Sequence, residues 1–550
     1  MVIYKDISDE AKYRFAIVIS LLFVMTRFFV PDFFDNEWIY SINPIKLLNP
    51  RFLSHDFFSD KIFPFFLFFD ALTSPFYYFF DYLTAVFILR ILIWSFQLWA
   101  LSRLTKTLGI TWWGFIVLVV IWLNVEQTLA AGDWIIRSAN AKPVAYGFMF
   151  LAINNLLNNR LKWAGIFSGI TISFHILVGF WSTIGLLLTL IVSKYRTITI
   201  KEVMSFCIFA LLPALPGILP AVYGEFFNYY LNNSQPAASE VARLSVVLAN
   251  PFHLDPKHFL KGLEYLKVSL FFISTILMMN YLAPRDKARK MALFVLFLCI
   301  FFISGVIARH AEWYRFLKYY PFRLADSFVP ITFWMGFVIF FQKMIQRFEK
   351  KRIFLILTIP IIIGVANYLI DQCDKKPRYH LSLASFTEAM LHTEPRNTAY
   401  QIREKGKEWY RFIFNRKLSD LEEVEFWIKD NTPQDSIFIS LPWEQSFSLK
   451  AQRAEFVAVK PPPNARIIEW MERIETVNRG PLQAVGIGIF YELLKNYPQL
   501  TEKEIIYIKC KYGADYFLTN AKINFKFEVA HRNNSYVLYK IKDLRCLESL

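Results

Sequence analysis

The chain has 550 residues, 55% of them apolar, with 57 phenylalanines and a formal net charge of +16. A mean hydropathy of +0.33 excludes an ordinary soluble protein, because such a surface would be adhesive in water while hydrocarbon accepts it without penalty. The positive charge lies in short loops between apolar runs, which points to membrane topology rather than to nucleic acid. In chain order, the run Phe15 to Val30 follows Lys5, Lys12 and Arg14 and lacks a small-x-small cleavage site, so it reads as an uncleaved first helix. A bilayer core takes about 20 helical residues, which predicts spans near 14–31, 83–102, 112–130, 143–158, 203–223, 267–283, 291–308, 327–342 and 353–370. The stretch 163–193 is too long for one helix, and Val178-Gly179-Phe180 offers a turn inside it. It is read as a hairpin of two short helices, giving about eleven transmembrane helices in all.

Basic residues in short loops are held back from translocation. Arg103 with Lys106, Arg160 with Lys162, and Lys194, Arg196 and Lys201 fall in alternate loops, as do the clusters from Arg285 to Lys290 and from Lys343 to Arg352. Those loops are therefore expected on the cytoplasmic side with the N-terminus. Segments 32–82, 131–142, 224–266 and 309–326, and everything after about 370, are expected outside. The hairpin is what keeps this alternation consistent. The five cysteines are scattered without CxxC spacing, so no metal knot or disulfide framework follows from them.

Past Ile370 the pattern changes. Residues 375–417 are charged and mixed, and the region 371–417 reads as a juxtamembrane connector. From 418 to 550 helix-like and strand-like pieces alternate: Leu421–Lys429 and Ala465–Val477 by helical period, Ser436–Leu441 and Phe456–Val459 by β-richness. A helix near Glu502–Lys511 leads into Asp515–Leu518, and Phe525–Ala530 with Tyr536–Ile541 flank Asn533-Asn534 as a hairpin. The expected architecture is a polytopic α-helical membrane domain over 1–370, with a long first outer loop 32–82, and a small C-terminal α/β domain on the outer side.

Loop 32–82 is the richest in chemistry. Asp32, Asp35, Glu37, Trp38 and Tyr40 follow the first helix, and His55, Asp56 and Asp60 come later. A carboxylate at a membrane boundary is poorly solvated and gains by taking a proton, so it can act as a general base. A carboxylate pair can instead hold a divalent cation such as Mg or Mn, or the acids are simply solvated loop residues. Loop 309–326 places Arg309, Arg315, Lys318 and Arg323 among aromatic residues on the side the charge rule disfavours. Guanidinium groups bind phosphate in a fork, so a lipid phosphate is the nearest partner; snorkelling to headgroups is the alternative. His175, near the tip of the hairpin, is an ionisable group at membrane depth and so a functional candidate, or a histidine capping a helix turn. His253, Asp255 and His258 suggest a metal, but Pro256 breaks their common helical face. Asp133 and Arg137 either line the same cleft as the first-loop acids or pair with each other.

With these residues, the chain resembles the GT-C superfamily of membrane glycosyltransferases, in a bacterial branch dependent on polyprenyl-phosphate sugars. Asp35-Asn36-Glu37-Trp38-Ile39-Tyr40 looks like the acid motif after helix one, with Asn36 interrupting the usual doublet of acids. Tyr319 to Asp326, and Trp427 to Pro433 leading into a strand, look like other stretches of such proteins. The resemblance implies sugar transfer from a polyprenyl-phosphate donor to a glycan, lipid or protein acceptor outside a bacterial inner (plasma) membrane. It makes Asp35 or Glu37 the base, Asp56, Asp133, His55 and His175 acceptor or metal candidates, and Arg323 with Lys318 or Arg315 the holders of the leaving lipid phosphate. A transporter or flippase of lipid-linked glycans, or a non-catalytic membrane assembly protein, fits the same layout. No inverted repeat or matched pair of broken helices supports transport.

Overall fold

The computed structural model describes residues 8–30, 32–59, 62–125, 127–194, 197–230, 238–347, 418–460 and 466–541. The expected span 353–370 and the connector 371–417 lie outside them. The chain divides into two compact units. One comprises Met1–Pro31, Phe87–Val222 and Phe252–His380, the other Asp32–Val86, Tyr223–Pro251 and Leu381–Leu550.

The helices up to residue 347 come from both units, and the longest of them follow the apolar runs. In chain order they are α1 (Asp9–Phe28), α2 (Glu37–Leu48), α3 (Leu67–Phe79), α4 (Tyr82–Thr107), α5 (Trp112–Val125), α6 (Ala141–Leu157), α7 (Leu161–Phe174), α8 (Ile176–Ser193) and α9 (Ile200–Tyr230). They continue with the short α10 (Ala238–Leu244), α11 (Pro251–Leu254) and α12 (Pro256–Phe259), then α13 (Glu264–Leu282), α14 (Arg285–His310), α15 (Tyr314–Leu317) and α16 (Arg323–Arg347). In α1, Ser8 accepts the Ala11 N–H, Asp9 and Glu10 fill the first turn and Arg27 the last, which suits both the cap and the helix dipole. Its buried Ala16, Ser20 and Val24 recur every four residues, one face turned inward.

A helix stands at each expected span within the described residues. Among the described residues, α4, α8, α9, α13, α14 and α16 are long and apolar enough to cross a membrane; α5 and α7 are shorter apolar helices. The expectation of eleven counted apolar runs, whereas a helix covered by protein needs no full bilayer length. Almost every residue of α6 is buried. The hairpin is present, but its break falls at His175, in extended conformation between α7 and α8, not at Val178-Gly179-Phe180. Gly179 serves the close return instead: a Cβ there would lie 2.3 Å from the Ile172 Cα. Gly169 allows a second close approach, since its Cβ would stand 2.1 Å from the Ala210 carbonyl oxygen.

One carboxylate organises the chain between α5 and α6. Asp326, wholly buried in the first turn of α16, accepts the N–H groups of Leu129 (3.1 Å), Ala130 (2.7 Å) and Ala131 (2.7 Å) on Oδ1. Its Oδ2 accepts the Asp133 N–H (2.8 Å) and the Thr128 hydroxyl. A loop buried this deeply would otherwise strand several donors, each at a cost of about 1–3 kcal/mol.

The second unit contains α2, α3, α10 and a mixed sheet. Its remaining elements are α17 (Asp420–Asn431), β1 (Ile437–Ile439), α18 (Phe447–Lys450), β2 (Ala454–Glu455), α19 (Ile467–Asn478), α20 (Gly488–Asn496), α21 (Glu502–Tyr512), β3 (Tyr516–Asn520), β4 (Glu528–Arg532) and β5 (Tyr536–Lys540). The strand order is β2-β1-β3-β5-β4, with β1 parallel to both neighbours and β5 antiparallel to both of its own. Sequence pattern anticipated α17, α19, α21 and the β4–β5 hairpin, but not α20. The expected strand Phe456–Val459 is a loop, because pairing with β1 ends at the Phe456 N–H to Phe438 carbonyl bond (2.8 Å). Phe57, from the first outer segment, enters the core beside Phe438, Trp470 and Phe517. The guanidinium groups of Arg466 and Arg473 each stand 4.3 Å from its ring centre. Asp56 accepts the Glu455 N–H at 2.9 Å. The first outer segment is thus stitched into the sheet's own core.

Two predictions follow from buried carboxylates. Removing the Asp326 acceptor in Asp326→Ala should cost at least about 3 kcal/mol, several charge-assisted bonds being lost together, with Asp326→Asn intermediate; a thermal melt of purified protein equal to wild type would contradict this. In α3, Asp70 is buried and accepts from Asn43 Nδ2 (2.9 Å), and burial pushes its carboxyl up to about 8 against that bond. A raised folded pKa gives stability that is fully present below the unfolded value, about 4, and lost as pH rises through about 8. Asp70→Asn, neutral throughout, should flatten the fall of melting temperature between pH 5 and pH 9 and exceed wild type at pH 9. An unchanged slope would contradict the assignment.

Candidate functional site

In the membrane unit, the loop fastened by Asp326 delivers Asp133 to a cluster of buried charges. Lys142, near the start of α6, donates to Asp133 Oδ1, and Arg323, the first residue of α16, brings Nε to 2.8 Å from Oδ2. His175 joins from the α7–α8 break, its Nε2 3.2 Å from Arg323 Nη1. Aromatic faces support both cations: Lys142 lies 3.8 Å from the Trp134 ring centre and Arg323 4.0 Å from that of Tyr320. Burial works to raise the Asp133 carboxyl, but Lys142 and Arg323 outweigh it and hold it well below the usual range. His253 bonds the Ala131 carbonyl (2.6 Å), and burial lowers its pKa, which keeps the ring neutral.

Three residues singled out from sequence, Asp133, His175 and Arg323, therefore meet in one cluster. Arg137 stays beside the cluster, its guanidinium 5.9 Å from the ring centre of Trp134, which Lys142 also meets; its carbonyl accepts from the Trp94 indole (2.8 Å). Arg315 is exposed on α15 and Lys318 is half-buried just after it. That turn is pinned by Trp181 Nε1 donating to the Tyr319 carbonyl (2.8 Å). Arg309 forms a closed pair with Asp255 (2.8 Å).

In the second unit the first-segment acids part company. Asp35 has φ +58°, the left-handed region that costs a non-glycine residue about 1–2 kcal/mol and concentrates at functional sites. It stands with Asp32, Phe33 and Trp38 in one wall of a pocket of about 270 Å³. The other wall is the loop Trp443, Glu444, Gln445 and Ser446 between β1 and α18. Asp32 pairs with Lys450 Nζ at 2.9 Å, which also meets Glu422 at 3.3 Å. Burial tends to lower the Lys450 pKa, but Glu425, Asp32 and Glu422 outweigh it, so the ammonium is retained. Glu37 is wholly buried at the start of α2, and its Oε2 accepts the Phe34 N–H at 2.7 Å. It braces the turn that carries Asp35. Asp56 Oδ1 accepts from the Phe58 and Ser59 N–H groups and the Ser59 hydroxyl, and Oδ2 from Glu455. His55 is exposed beside it.

Among the described residues no group of three or more His, Cys, Asp or Glu stands close enough to hold a metal ion. Asp56 and Asp133 are already taken up by protein donors, so no step is assigned to a divalent cation. Sequence reasoning passed over Lys142, Lys450 and the Trp443–Ser446 loop. Lys142 carried a usable signal, being an ionisable residue at the edge of an apolar span. The loop carried a weaker one, an indole and an acid just past a strand.

A family model described as "Domain of unknown function (DUF6798)" matches residues 419–477, well short of half the chain. No curated protein matches it. Among solved structures, the chain is similar to the oligosaccharyltransferase of Archaeoglobus fulgidus in the apo form, at 11% identity and a TM-score of 0.47, over 94% of this chain and 70% of that one. It is also similar to ArnT from Cupriavidus metallidurans in the apo state, at 12% identity and a TM-score of 0.45, over 96% of each chain. The same ArnT bound to undecaprenyl phosphate gives 12% and 0.45, over 96% of this chain and 97% of that one. Likeness at these values assigns neither a family nor an activity to the chain.

Proposed function

We propose that the chain is a membrane glycosyltransferase that moves a sugar from a polyprenyl-phosphate donor to an acceptor hydroxyl on the extracytoplasmic side. The observation that carries this reading is the pocket that Asp35, on a strained turn braced by Glu37, lines together with Trp38, Trp443 and Glu444. Aromatic walls with a few placed polar groups suit a small polar ligand. Carboxylates accept hydrogen bonds from hydroxyls, and one of them can take a proton. The six apolar helices suit a donor whose lipid stays in the bilayer.

In this mechanism Asp35 is the general base. The acceptor O–H gives its proton to the Asp35 carboxylate as its oxygen attacks the anomeric carbon. The bond from that carbon to the phosphate oxygen breaks, inverting the centre, and polyprenyl phosphate leaves with the electron pair. Glu37 acts through the turn as a positioning residue. For a lipid phosphate the membrane unit offers Arg315, Lys318 and Arg323, the last given its direction by the Asp133–His175 cluster. Asp133 and His175 thereby hold a cation rather than the acceptor, Asp56 ties the first segment to the sheet, and exposed His55 stays available to the acceptor. Cys510 on α21 is disulfide-bonded. Such bonds persist in oxidising compartments, which supports an outer face for the α/β part.

The test is transfer of radiolabelled sugar from a polyprenyl-phosphate donor in proteoliposomes. Asp35→Asn should lower turnover by about 10²–10⁴, the range for loss of a general base, and Glu37→Gln by a smaller factor together with a lower melting temperature. Unchanged turnover in Asp35→Asn would overturn the base. Movement of the intact lipid-linked sugar across the bilayer without bond exchange would favour a transporter.

A further inference from the structure

Helix α3 is built inside out. Its buried residues are Phe69, Asp70, Thr73 and Tyr77, a stripe at helical spacing that includes the helix's single charge. Asp70 accepts from Asn43 Nδ2 (2.9 Å), and the Tyr77 hydroxyl bonds that of Ser41 (2.8 Å). The exposed stripe is Ala71, Leu72, Pro75, Tyr78 and Phe79, with Leu72, Tyr78 and Phe79 at 51%, 54% and 49% exposure. Apart from the Tyr78 hydroxyl, those side chains offer water nothing to bind. A helix whose outer face meets water has the reverse pattern. Ile62 and Phe63, just before it, are exposed as well. From Ile62 to Leu89 the sequence holds no lysine or arginine, and its two acids, Asp70 and Asp81, are both buried.

Two local details fit apolar surroundings. Pro75 has no N–H to give the Ala71 carbonyl, and the Ser74 hydroxyl bonds that carbonyl instead (3.0 Å). Water would serve there in an aqueous setting, but hydrocarbon cannot. Phe80, in extended conformation, ends the helix, and Asp81 accepts the Leu83 and Thr84 N–H groups (3.2 Å each) to start α4. Since α4 is long and apolar enough to cross a membrane, α3 stands two residues from a membrane entry. Its 13 residues extend about 20 Å, short of the roughly 30 Å of a hydrocarbon core. It is too short to cross and too apolar for water.

We propose that the exposed face of α3 is a bilayer-docking surface, the helix lying in the plane of the leaflet that α4 enters at Tyr82. Leu72, Pro75 and Phe79 sit among the acyl chains and Tyr78 at headgroup level. The uncharged stripe and the two-residue link to α4 favour lipid over a protein partner on this face. Because α2 is bonded to the buried face of α3, and Glu37 at its start braces the Asp35 turn, the anchor also sets the height of that turn at the bilayer surface. The inference rests on α4 as a membrane span and not on sugar transfer.

The test uses full-length protein carrying Cys207→Ser, which removes an exposed free thiol, in phosphatidylcholine–phosphatidylglycerol nanodiscs. Nitroxides are attached singly at Leu72→Cys and Phe79→Cys, each variant melting with its parent, and the parent's own signal is subtracted. Leu211→Cys on α9 is the lipid reference and Tyr491→Cys on α20 the water reference, both positions being exposed. Oxygen, which concentrates in hydrocarbon, should collide with labels at Leu72 and Phe79 several times more often than a water-soluble nickel chelate does. That places them about 5–10 Å below the headgroups, and at Tyr491 the order should reverse. Nickel reaching Leu72 and Phe79 as readily as Tyr491 would put the face in water and overturn the proposal. Labels reached by neither reagent would put protein over the face and overturn it equally. No sugar enters the measurement, so the anchor and the transferase stand or fall separately.

Discussion

The arrangement of the membrane unit depends on a buried carboxylate that collects backbone donors. Asp326 gathers four N–H groups and a hydroxyl from one loop, and so fixes a segment that apolar surroundings would otherwise leave unsatisfied. Everything in the charge cluster follows from that fixation. Asp133 is carried to where Lys142 and Arg323 converge, and Arg323 is turned so that His175 meets it. A guanidinium held by two partners is oriented before any ligand arrives, and the cost of ordering it is met during folding.

The second unit repeats the device with different chemistry. Asp56 takes N–H groups from its own segment and one from β2, while Phe57 places its ring under two guanidinium groups. Those contacts make the first outer segment part of the sheet's core, and they bring the strained turn at Asp35 opposite the loop after β1. The left-handed turn at Asp35 and the buried Trp38 indole, which has no acceptor among the described residues, lie in the same pocket. Left-handed backbone also occurs in this unit at Leu53, Gln452 and Arg479.

Much of this was legible in the residues. Apolar runs gave the spans their places because burial in hydrocarbon or protein demands them, whereas α2 and α3 lie within 32–82, read as a loop; the β4–β5 hairpin announced itself through Asn533-Asn534. Asp133, His175 and Arg323 stood out singly as ionisable groups in or near apolar spans, but that they meet is a matter of tertiary packing between residues as far as 190 positions apart. The hairpin break was misplaced because glycine was read as a turn, whereas Gly179 answers the close return of Ile172 and His175 makes the break. Asp35 and Glu37 look equivalent in sequence, two residues apart, yet one turns to a pocket and the other beneath a helix start. A difference of that kind depends on a backbone angle, which composition does not encode. Helix α20 and the Trp443–Ser446 loop were missed because neither carries strong periodicity over its short length.

The proposed transfer requires Asp35 to meet the acceptor. The most direct measurement is an experimental structure of the protein in nanodiscs with an acceptor and a non-transferable polyprenyl-phosphate sugar analogue. The prediction is an acceptor hydroxyl at hydrogen-bond distance from the Asp35 carboxylate, about 2.6–3.2 Å, with the acceptor ring against Trp38 and Trp443. An acceptor bound elsewhere, with the Asp35 pocket filled only by water, would contradict it.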